Sequence, residues 1–255
     1  MERPGDTAAH FSRLAERYAA SESHAAGDDL AIVRAFAAPR ASDRHLDVAT
    51  GAGHTALRIA PDVALTVASD VAPGMLASAR RLAEGRGLAN LRTLFADAAR
   101  LPFRDGSLDL VTCRIAPHHF PDLGAFLAET ARVLAPGGRA VIEDSLAPDD
   151  RAERAFLHEI EARRDPTHLR SLTRGEWRES FLSAGLRVID EKVHHLSRGY
   201  DAWMERSGLA QAEIAELSDR ILATDEPVRA PFFRVESGRI TRFVDDKLIV
   251  RLERA

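Results

Sequence analysis

Several features are scarce in this chain of 255 residues, and each scarcity excludes a class of protein. Its single cysteine, Cys113, excludes an intrachain disulfide framework and fits a reducing compartment, where we expect it to be a buried strand residue. No stretch approaches the roughly 18 apolar residues that a membrane span needs, and the first residues have no apolar signal-peptide core. The sequence therefore predicts a cytoplasmic protein.

An excess of basic charge is also missing. The 35 lysines and arginines are balanced by 39 aspartates and glutamates, which gives a net charge of −4 and an isoelectric point near 6.2. Proteins that bind nucleic acid usually carry a basic patch or stripe, so we expect no nucleic-acid partner. No cluster of cysteine and histidine has metal-ligand spacing, because His194 and His195 would face opposite sides of a strand. We predict no metal site.

The most informative feature present is a glycine-rich turn. A predicted apolar strand that begins at His45 ends in this turn, and an apolar-periodic helix follows it until Pro61. Strand, turn and helix form the first half of a nucleotide-binding βαβ unit. Gly51 and Gly53 would let the backbone approach a ligand, and the first N–H groups of the helix favour a carboxylate or phosphate. A glycine pair of this kind also occurs in plain tight turns.

Acidic residues follow the same pattern on three successive predicted strands. Asp47, Asp70 and Asp97 each stand at or near the end of an apolar run. In a Rossmann-type unit, the acid that ends the second strand binds ribose hydroxyls. A helix N-cap would explain any one of these acids alone. Together, and beside the glycine turn, they predict a ligand site at the carboxyl edge of a sheet.

The remainder of the chain alternates predicted helices and strands, which indicates a parallel sheet covered on both faces. After the fifth strand, a charged helix ends at Arg164 and leads into a polar segment that includes His168. A sixth strand, a helical insert over residues 200–223 and a hairpin with a Ser237-Gly238 turn follow. Residues 247–252 are predicted as the last strand.

These motifs resemble those of the class I S-adenosylmethionine-dependent methyltransferases. Within that family, the sequence is most similar to the small-molecule branch that contains the ubiquinone and menaquinone C-methyltransferases. The matching segments are residues 47–55, 69–75, 97–103, 113–121 and 126–138. The resemblance covers about residues 15–255. Its motifs are specific for the cofactor and say almost nothing about the acceptor.

The resemblance implies a Rossmann-like, doubly wound α/β fold. We expect a seven-stranded, mostly parallel sheet with an antiparallel last strand. An N-terminal helical lid would occupy residues 1–42, and the methyltransferase domain would span residues 43–255. A helical and hairpin insertion is expected at about residues 200–243.

The resemblance also implies S-adenosyl-L-methionine as the cofactor and S-adenosyl-L-homocysteine as its product. Asp70 would bind the ribose hydroxyls, Asp97 the adenine amino group, and the glycine turn the methionyl end. Met75 would pack on the adenine, although core packing explains a methionine there equally well. The predicted cofactor-binding residues are Asp47, Thr50, Gly51, Gly53, His54, Asp70, Val71, Met75, Asp97, Ala98 and Arg114.

The acceptor side offers two histidines on the loop after the fourth strand. A neutral imidazole at His118 or His119 suits a general base for a hydroxyl, amine or enol. Alternatively, one histidine packs while the other orients the loop. Further candidates for the acceptor pocket, from the predicted lid and the polar segment, are Tyr18, His24, Arg164 and His168. Alternatively, Tyr18 only packs and His24 lies in a solvated loop, which is the interpretation that we favour for His24.

We therefore predict methyl transfer to a small, partly apolar acceptor at an oxygen, nitrogen or carbon atom. Two alternatives remain: methylation of a macromolecule, and a sensor or partner subunit that binds the cofactor without transferring its methyl group. The expected partner is a small-molecule acceptor, with no nucleic acid and no membrane span. The sequence is compatible with a homodimer.

Overall fold

The computed structural model describes residues 4–20, 25 and 27–255, without the side chains of residues 4–6. Within these ranges, no helix has both the length and the apolar character that crossing a membrane requires. The predicted lid residue His24 lies outside the described residues.

Helices and strands alternate through the described chain. The helices are α1 (Pro4–Ala19), α2 (Asp28–Ala37), α3 (His54–Ile59), α4 (Pro73–Gly85), α5 (Leu123–Val133), α6 (Arg151–Arg164), α7 (Arg174–Ser183), α8 (Tyr200–Glu205), α9 (Gln211–Leu222) and α10 (Glu226–Arg229). The strands are β1 (Arg44–Val48), β2 (Leu65–Asp70), β3 (Leu91–Phe95), β4 (Leu108–Arg114), β5 (Leu134–Ser145), β6 (Leu186–Gly199), β7 (Phe233–Glu236) and β8 (Arg239–Arg254). The helices expected before the first strand correspond to α1 and α2.

One mixed sheet organises these elements in the order β3-β2-β1-β4-β5-β8-β6, and β7 pairs with β8. Strands β1 to β5 run parallel, whereas β8 is antiparallel to both β5 and β6. The predicted Rossmann-like, doubly wound fold with an antiparallel last strand is confirmed. Because β1 to β5 are parallel, their carboxyl ends lie at one edge, where open α/β sheets bind ligands.

The sheet is buried on both faces, as its parallel strands require. On one face, Val33 of α2 and Ile59 of α3 pack against Leu110 of β4. On the other, Phe126 of α5 and Trp177 of α7 pack in the largest apolar cluster. This double cover leaves the carboxyl edge as the open side of the central strands.

The insertion forms an apolar cluster of its own against α6. Trp203 of α8 stacks on Phe243 of β8 with ring centroids 4.0 Å apart, and Phe156 of α6 joins the same cluster. The hairpin contains the predicted Ser237-Gly238 turn. Its second strand does not stop before residue 247, however, since β8 is continuous from Arg239 to Arg254.

Helix α1 contacts both α4, which follows β2, and α8, which belongs to the insertion. Its Ala15 packs with Met75 at the start of α4. Its Arg17 donates a hydrogen bond to the carbonyl oxygen of Glu205 in α8, at 3.3 Å. Helix α1 therefore extends from the part of the carboxyl edge near β2 to the insertion.

Candidate functional site

A cavity of about 370 Å³ lies at the carboxyl edge of the sheet, beside α1. Its turn side is formed by Thr50, Gly51, His54, Asp70, Val71, Met75, Asp97 and Ala98. Its insertion side is formed by His118, His119, Arg164, His168, Arg198, Trp203, Arg206 and Phe243. Tyr18 and Arg114 also line the cavity. The structure thus brings together every predicted site residue that it describes, except two.

The two exceptions are Asp47 and Gly53, which do not line the cavity. Asp47 is buried and accepts hydrogen bonds from the hydroxyls of Thr50 and Thr112, each at 2.5 Å. Burial raises the pKa of Asp47 to about 6. Gly53 has φ +91°, and a Cβ there would lie 2.8 Å from the Cβ of Ala79. Asp47 therefore supports the turn, and Gly53 lets α4 approach it; the assignment of both residues to cofactor binding stays a prediction.

Asp70 is held in one orientation by the backbone around it. Its carboxylate accepts hydrogen bonds from the N–H of Gly51 at 2.9 Å and the N–H of Ala72 at 2.8 Å. Burial raises the pKa of Asp70, while these N–H groups favour the charged form. Asp97 similarly accepts from the N–H of Ala99 at 2.9 Å. The turn side therefore presents two fixed carboxylates to the cavity.

His54 has one engaged and one orphaned ring nitrogen. Its Nε2 lies 3.0 Å from the carbonyl oxygen of Tyr18, so Nε2 carries the proton and donates to that oxygen. Its Nδ1 is buried, and no described residue forms a hydrogen bond with it. Burial lowers the pKa of His54 and keeps the ring neutral. Nδ1 is consequently a free acceptor that can bind a donor group of a ligand.

The turn side fits the group that the sequence predicts. Carboxylates at Asp70 and Asp97 suit ribose hydroxyls and an adenine amino group, and the orphaned His54 Nδ1 suits an ammonium group. At Gly51, which has φ +55°, a Cβ would meet no atom of the described residues within 4 Å, its two chain neighbours aside. The cavity is therefore open beside the turn, as a ligand that approaches the backbone requires.

Arg114 is fixed by a buried ionic network. Its guanidinium lies 2.9 Å from Asp29 at the start of α2 and 3.2 Å from Glu143 of β5. Burial raises the pKa of Glu143 to about 8, although Arg114 opposes this shift. Burial alone would raise the pKa of Asp29, but the charge and hydrogen bond of Arg114 lower it. This network ties α2 to the central strands.

Three histidines meet on the insertion side. The ring centroid of His118 lies 3.9 Å from that of His119 and 5.1 Å from that of His168. Burial lowers the pKa of His119 to about 4, and that of His168 to about 2, with His118 acting in the same direction. Both rings are therefore neutral at physiological pH.

His118 differs from its neighbours because it has a carboxylate partner. Its Nδ1 lies 2.6 Å from Oδ1 of Asp144, at the end of β5. Burial alone would lower the pKa of His118, but the charge and hydrogen bond of Asp144 raise it above the ordinary value. His119 instead places Nδ1 at 3.0 Å from the carbonyl oxygen of Thr167. Of the two histidines on this loop, His118 is the better proton acceptor near neutral pH.

The insertion adds cavity residues that sequence reasoning missed. Arg198, Trp203, Arg206 and Phe243 belong to elements far along the chain and to no recognisable motif. One signal was available. In β8, Asp245 and Lys247 stand two positions apart, so that in a strand their side chains lie on the same face, and both are buried.

These charges form a continuous chain along the cavity wall. Asp245 accepts from Arg198 at 2.8 Å and pairs with Lys247 at 2.7 Å. The Nζ of Lys247 donates to the hydroxyl of Ser145 at 2.6 Å. Buried charges are stable when they are paired in this way.

Comparison with known proteins gives the family. The model of the methyltransferase domain matches residues 46–142. YcgJ of Bacillus subtilis (strain 168), an uncharacterized methyltransferase, is 37% identical over 198 residues, which cover 78% of each chain. A demethylmenaquinone methyltransferase of Thermus thermophilus is 50% identical over 110 residues, which cover 42% of this chain and 49% of that protein.

The fold agrees with this assignment. A crystal structure of a candidate methyltransferase from Bacillus halodurans C-125 superposes with a TM-score of 0.85 and 33% identity, covering 89% of this chain and 98% of that one. The chain belongs to the class I S-adenosylmethionine-dependent methyltransferases, and it is an enzyme that uses S-adenosylmethionine.

Proposed function

We propose that this enzyme transfers a methyl group to a small, partly apolar acceptor molecule. The observation that carries the proposal is that one cavity runs from the turn side to the insertion side. Aromatic rings of Trp203 and Phe243 line the insertion side beside the histidines. A pocket lined by apolar rings and a few polar groups is typical of small-molecule sites.

The turn side would hold the cofactor through groups that the backbone has already oriented. Asp70 would accept the ribose hydroxyls, Asp97 the adenine amino group, and His54 Nδ1 the methionyl ammonium. When bound, S-adenosylmethionine supplies an activated methyl group through its sulfonium. The task left to the protein is to position the acceptor, exclude water and take up a proton.

His118 would take up that proton. Its Nδ1 is engaged by Asp144, so Nε2 is the ring nitrogen that can accept a proton from the acceptor. The pKa of His118 is raised, whereas that of His119 is lowered to about 4, and an effective base has a pKa near the working pH. Asp144 would act as a positioning residue that fixes the tautomer and favours the imidazolium.

Helix α1 supports enclosure of the acceptor. Phe11 and Tyr18 line the cavity, and the ring of Phe11 lies 5.0 Å from that of His119. The contact between Arg17 and Glu205 connects α1 to the insertion. Such a cover excludes water from the reacting atoms and admits a small molecule more readily than a folded macromolecule.

Transfer of a labelled methyl group tests the proposal. The enzyme is incubated with methyl-labelled S-adenosylmethionine and either the dialysable or the macromolecular fraction of a bacterial extract. We expect label in a dialysable product that partitions into organic solvent, together with formation of S-adenosylhomocysteine. Label found only in protein or nucleic acid would overturn the small-molecule acceptor, and reactions without enzyme provide the background.

A further inference from the structure

Three arginines converge on the insertion side of the cavity. Arg164 comes from the end of α6, Arg198 from β6, and Arg206 directly follows α8. Arg198 has a carboxylate partner in Asp245, at 2.8 Å, but Asp245 also pairs with Lys247. Neither Arg164 nor Arg206 forms an ion pair with any residue in the described part of the chain.

Arg164 is oriented by contacts to neutral groups, while the carboxylates of Asp165 and Glu161 favour its charge from beyond ion-pair distance. Its Nε and Nη2 donate to the carbonyl oxygen of Trp203 at 3.1 and 2.8 Å, and its guanidinium carbon lies 4.6 Å from the centre of the Trp203 ring. The nearby carboxylate of Asp165 is engaged with Thr167, through N–H at 2.9 Å and the hydroxyl at 2.7 Å. Arg164 therefore presents a fixed positive charge beside an aromatic surface.

The guanidinium of Arg206 has an unused hydrogen-bond donor. Its Nη2 is buried and has no hydrogen-bond partner among the residues that the structure describes. Burial lowers the pKa of Arg206 to about 10, and the positive charges of Arg198 and Arg164 act in the same direction. Asp245 and Tyr18 offset part of this positive charge. An oxyanion beside Arg206 would accept a hydrogen bond from Nη2, which otherwise carries the cost of an unsatisfied buried donor.

We propose that Arg164 and Arg206 bind an oxyanion of the acceptor, a carboxylate or a phosphate. The acceptor would then be an apolar or aromatic acid, with its apolar part beside the aromatic residues of the cavity wall and its anionic group on the guanidinium pair. Planar guanidinium groups suit both oxyanions because they donate two parallel hydrogen bonds. This inference rests on the proposed function, because it assigns the chemistry of the acceptor in the same cavity.

The test measures binding without turnover. The enzyme saturated with S-adenosylhomocysteine is titrated with benzoate, phenyl phosphate and neutral benzamide, and binding is followed by ligand-observed NMR. We expect at least one anion to bind about 10-fold or more tightly than benzamide. The preferred anion distinguishes a carboxylate site from a phosphate site.

Variants locate the binding to the arginine pair. Arg206→Leu should raise the Kd of the preferred anion about 10- to 100-fold, because a hydrogen bond to a charged group is lost. Arg206→Lys, which keeps the charge, should lose less. The matched control is Arg163→Leu on the same helix as Arg164, since Arg163 is exposed and pairs with Glu216 at the surface; anion binding should not change.

Two outcomes would overturn the inference. Equal affinity of wild-type enzyme for benzoate, phenyl phosphate and benzamide would exclude an oxyanion site, and this comparison holds even if Arg206→Leu fails to fold. Loss of S-adenosylhomocysteine affinity in Arg206→Lys or Arg206→Leu would assign the cluster to the carboxylate of the cofactor. Failure of the proposed function is distinguishable, because it leaves anion binding intact while no methyl label reaches a small molecule.

Discussion

The two sides of the cavity differ in how they are built. The turn side consists of residues from short segments that directly follow β1, β2 and β3, and its polar groups are carboxylates and backbone amides. The insertion side draws on α6, β6, α8, β8 and the loop after β4, and its polar groups are mainly histidines and arginines. A recognition surface can therefore arise from local sequence or from the packing of distant elements within one site.

The difference in chemistry follows from what each side is proposed to bind. Hydroxyl, amino and ammonium groups are donors, and Asp70, Asp97 and His54 Nδ1 are acceptors. The insertion side offers donors at Arg164 and Arg206, which suit an anion. If this division is correct, mutations on one side should change one binding constant and leave the other unchanged.

The largest effect is expected at the base. His118→Ala should lower kcat by about 10²–10⁴, the usual span for general acid–base catalysis, because the acceptor loses its proton acceptor. The affinity for S-adenosylhomocysteine, measured by calorimetry, should remain that of the wild type. A parallel loss of cofactor affinity would instead identify His118 as a structural residue shared by both sides.

A similarly selective effect is expected at Asp70. Asp70→Ala should raise the Kd for S-adenosylmethionine about 100-fold, since each hydrogen bond to a charged acceptor contributes about 1.5–3 kcal/mol. Binding of the small anion on the insertion side should change little. Unchanged cofactor affinity would remove the assignment of Asp70 to the ribose.

A pair of glycine variants separates ligand contact from packing within the turn side. Gly53→Ala should lower the free energy of unfolding by roughly 2 kcal/mol, because a Cβ at φ +91° would lie 2.8 Å from Ala79. Gly51→Ala should lower it by only about 1 kcal/mol, since φ is +55° but the space is open. Gly51→Ala should weaken cofactor binding more than Gly53→Ala does. Thermal unfolding with and without cofactor measures both effects. The reverse ranking would contradict the assignment of Gly51 to ligand contact and of Gly53 to packing.

The smallest effect concerns the pH dependence of the insertion side. Asp144 favours protonated His118, so the neutral base forms only above the ordinary histidine pKa of about 6.5. Glu161 acts in the same direction as Asp144, and Lys247 acts in the opposite one. Asp144→Asn should move the acidic limb of the kcat/KM profile to lower pH, because the pKa of His118 loses the contribution that raises it. An unmoved limb would mean that a group other than His118 titrates there.

Much of the fold could be predicted because its signals are local. The apolar run before the turn, the acid at Asp70 and the breaker at Pro61 lie within one short segment of the chain. The continuity of β8 was not predicted, because Asp245 and Lys247 interrupt its apolar pattern. Those charges are accommodated by Arg198 and Ser145, which come from β6 and β5.

The turn side was predicted more fully than the insertion side, although two residues of its motif do not line the cavity. Asp47 and Gly53 belong to the motif, but which motif residues reach the ligand depends on which atoms face the cavity. Thr112 of β4 turns Asp47 inward, and Ala79 of α4 occupies the space next to Gly53. No pattern within the turn itself predicts that Thr112 or Ala79 lies beside it.

The sequence by itself determined the α/β fold, the glycine turn and the acids at the carboxyl edge, because parallel strands bring their ends together whatever the details of packing. Only the tertiary structure distinguished His118 from His119, since that distinction depends on Asp144 lying 2.6 Å from one ring and not on sequence spacing. The same holds for Arg164 and Arg206, which stand 42 positions apart in the chain. They meet because the aromatic cluster packs α8 against α6, and a charge cluster formed by such packing has no local pattern from which to infer it.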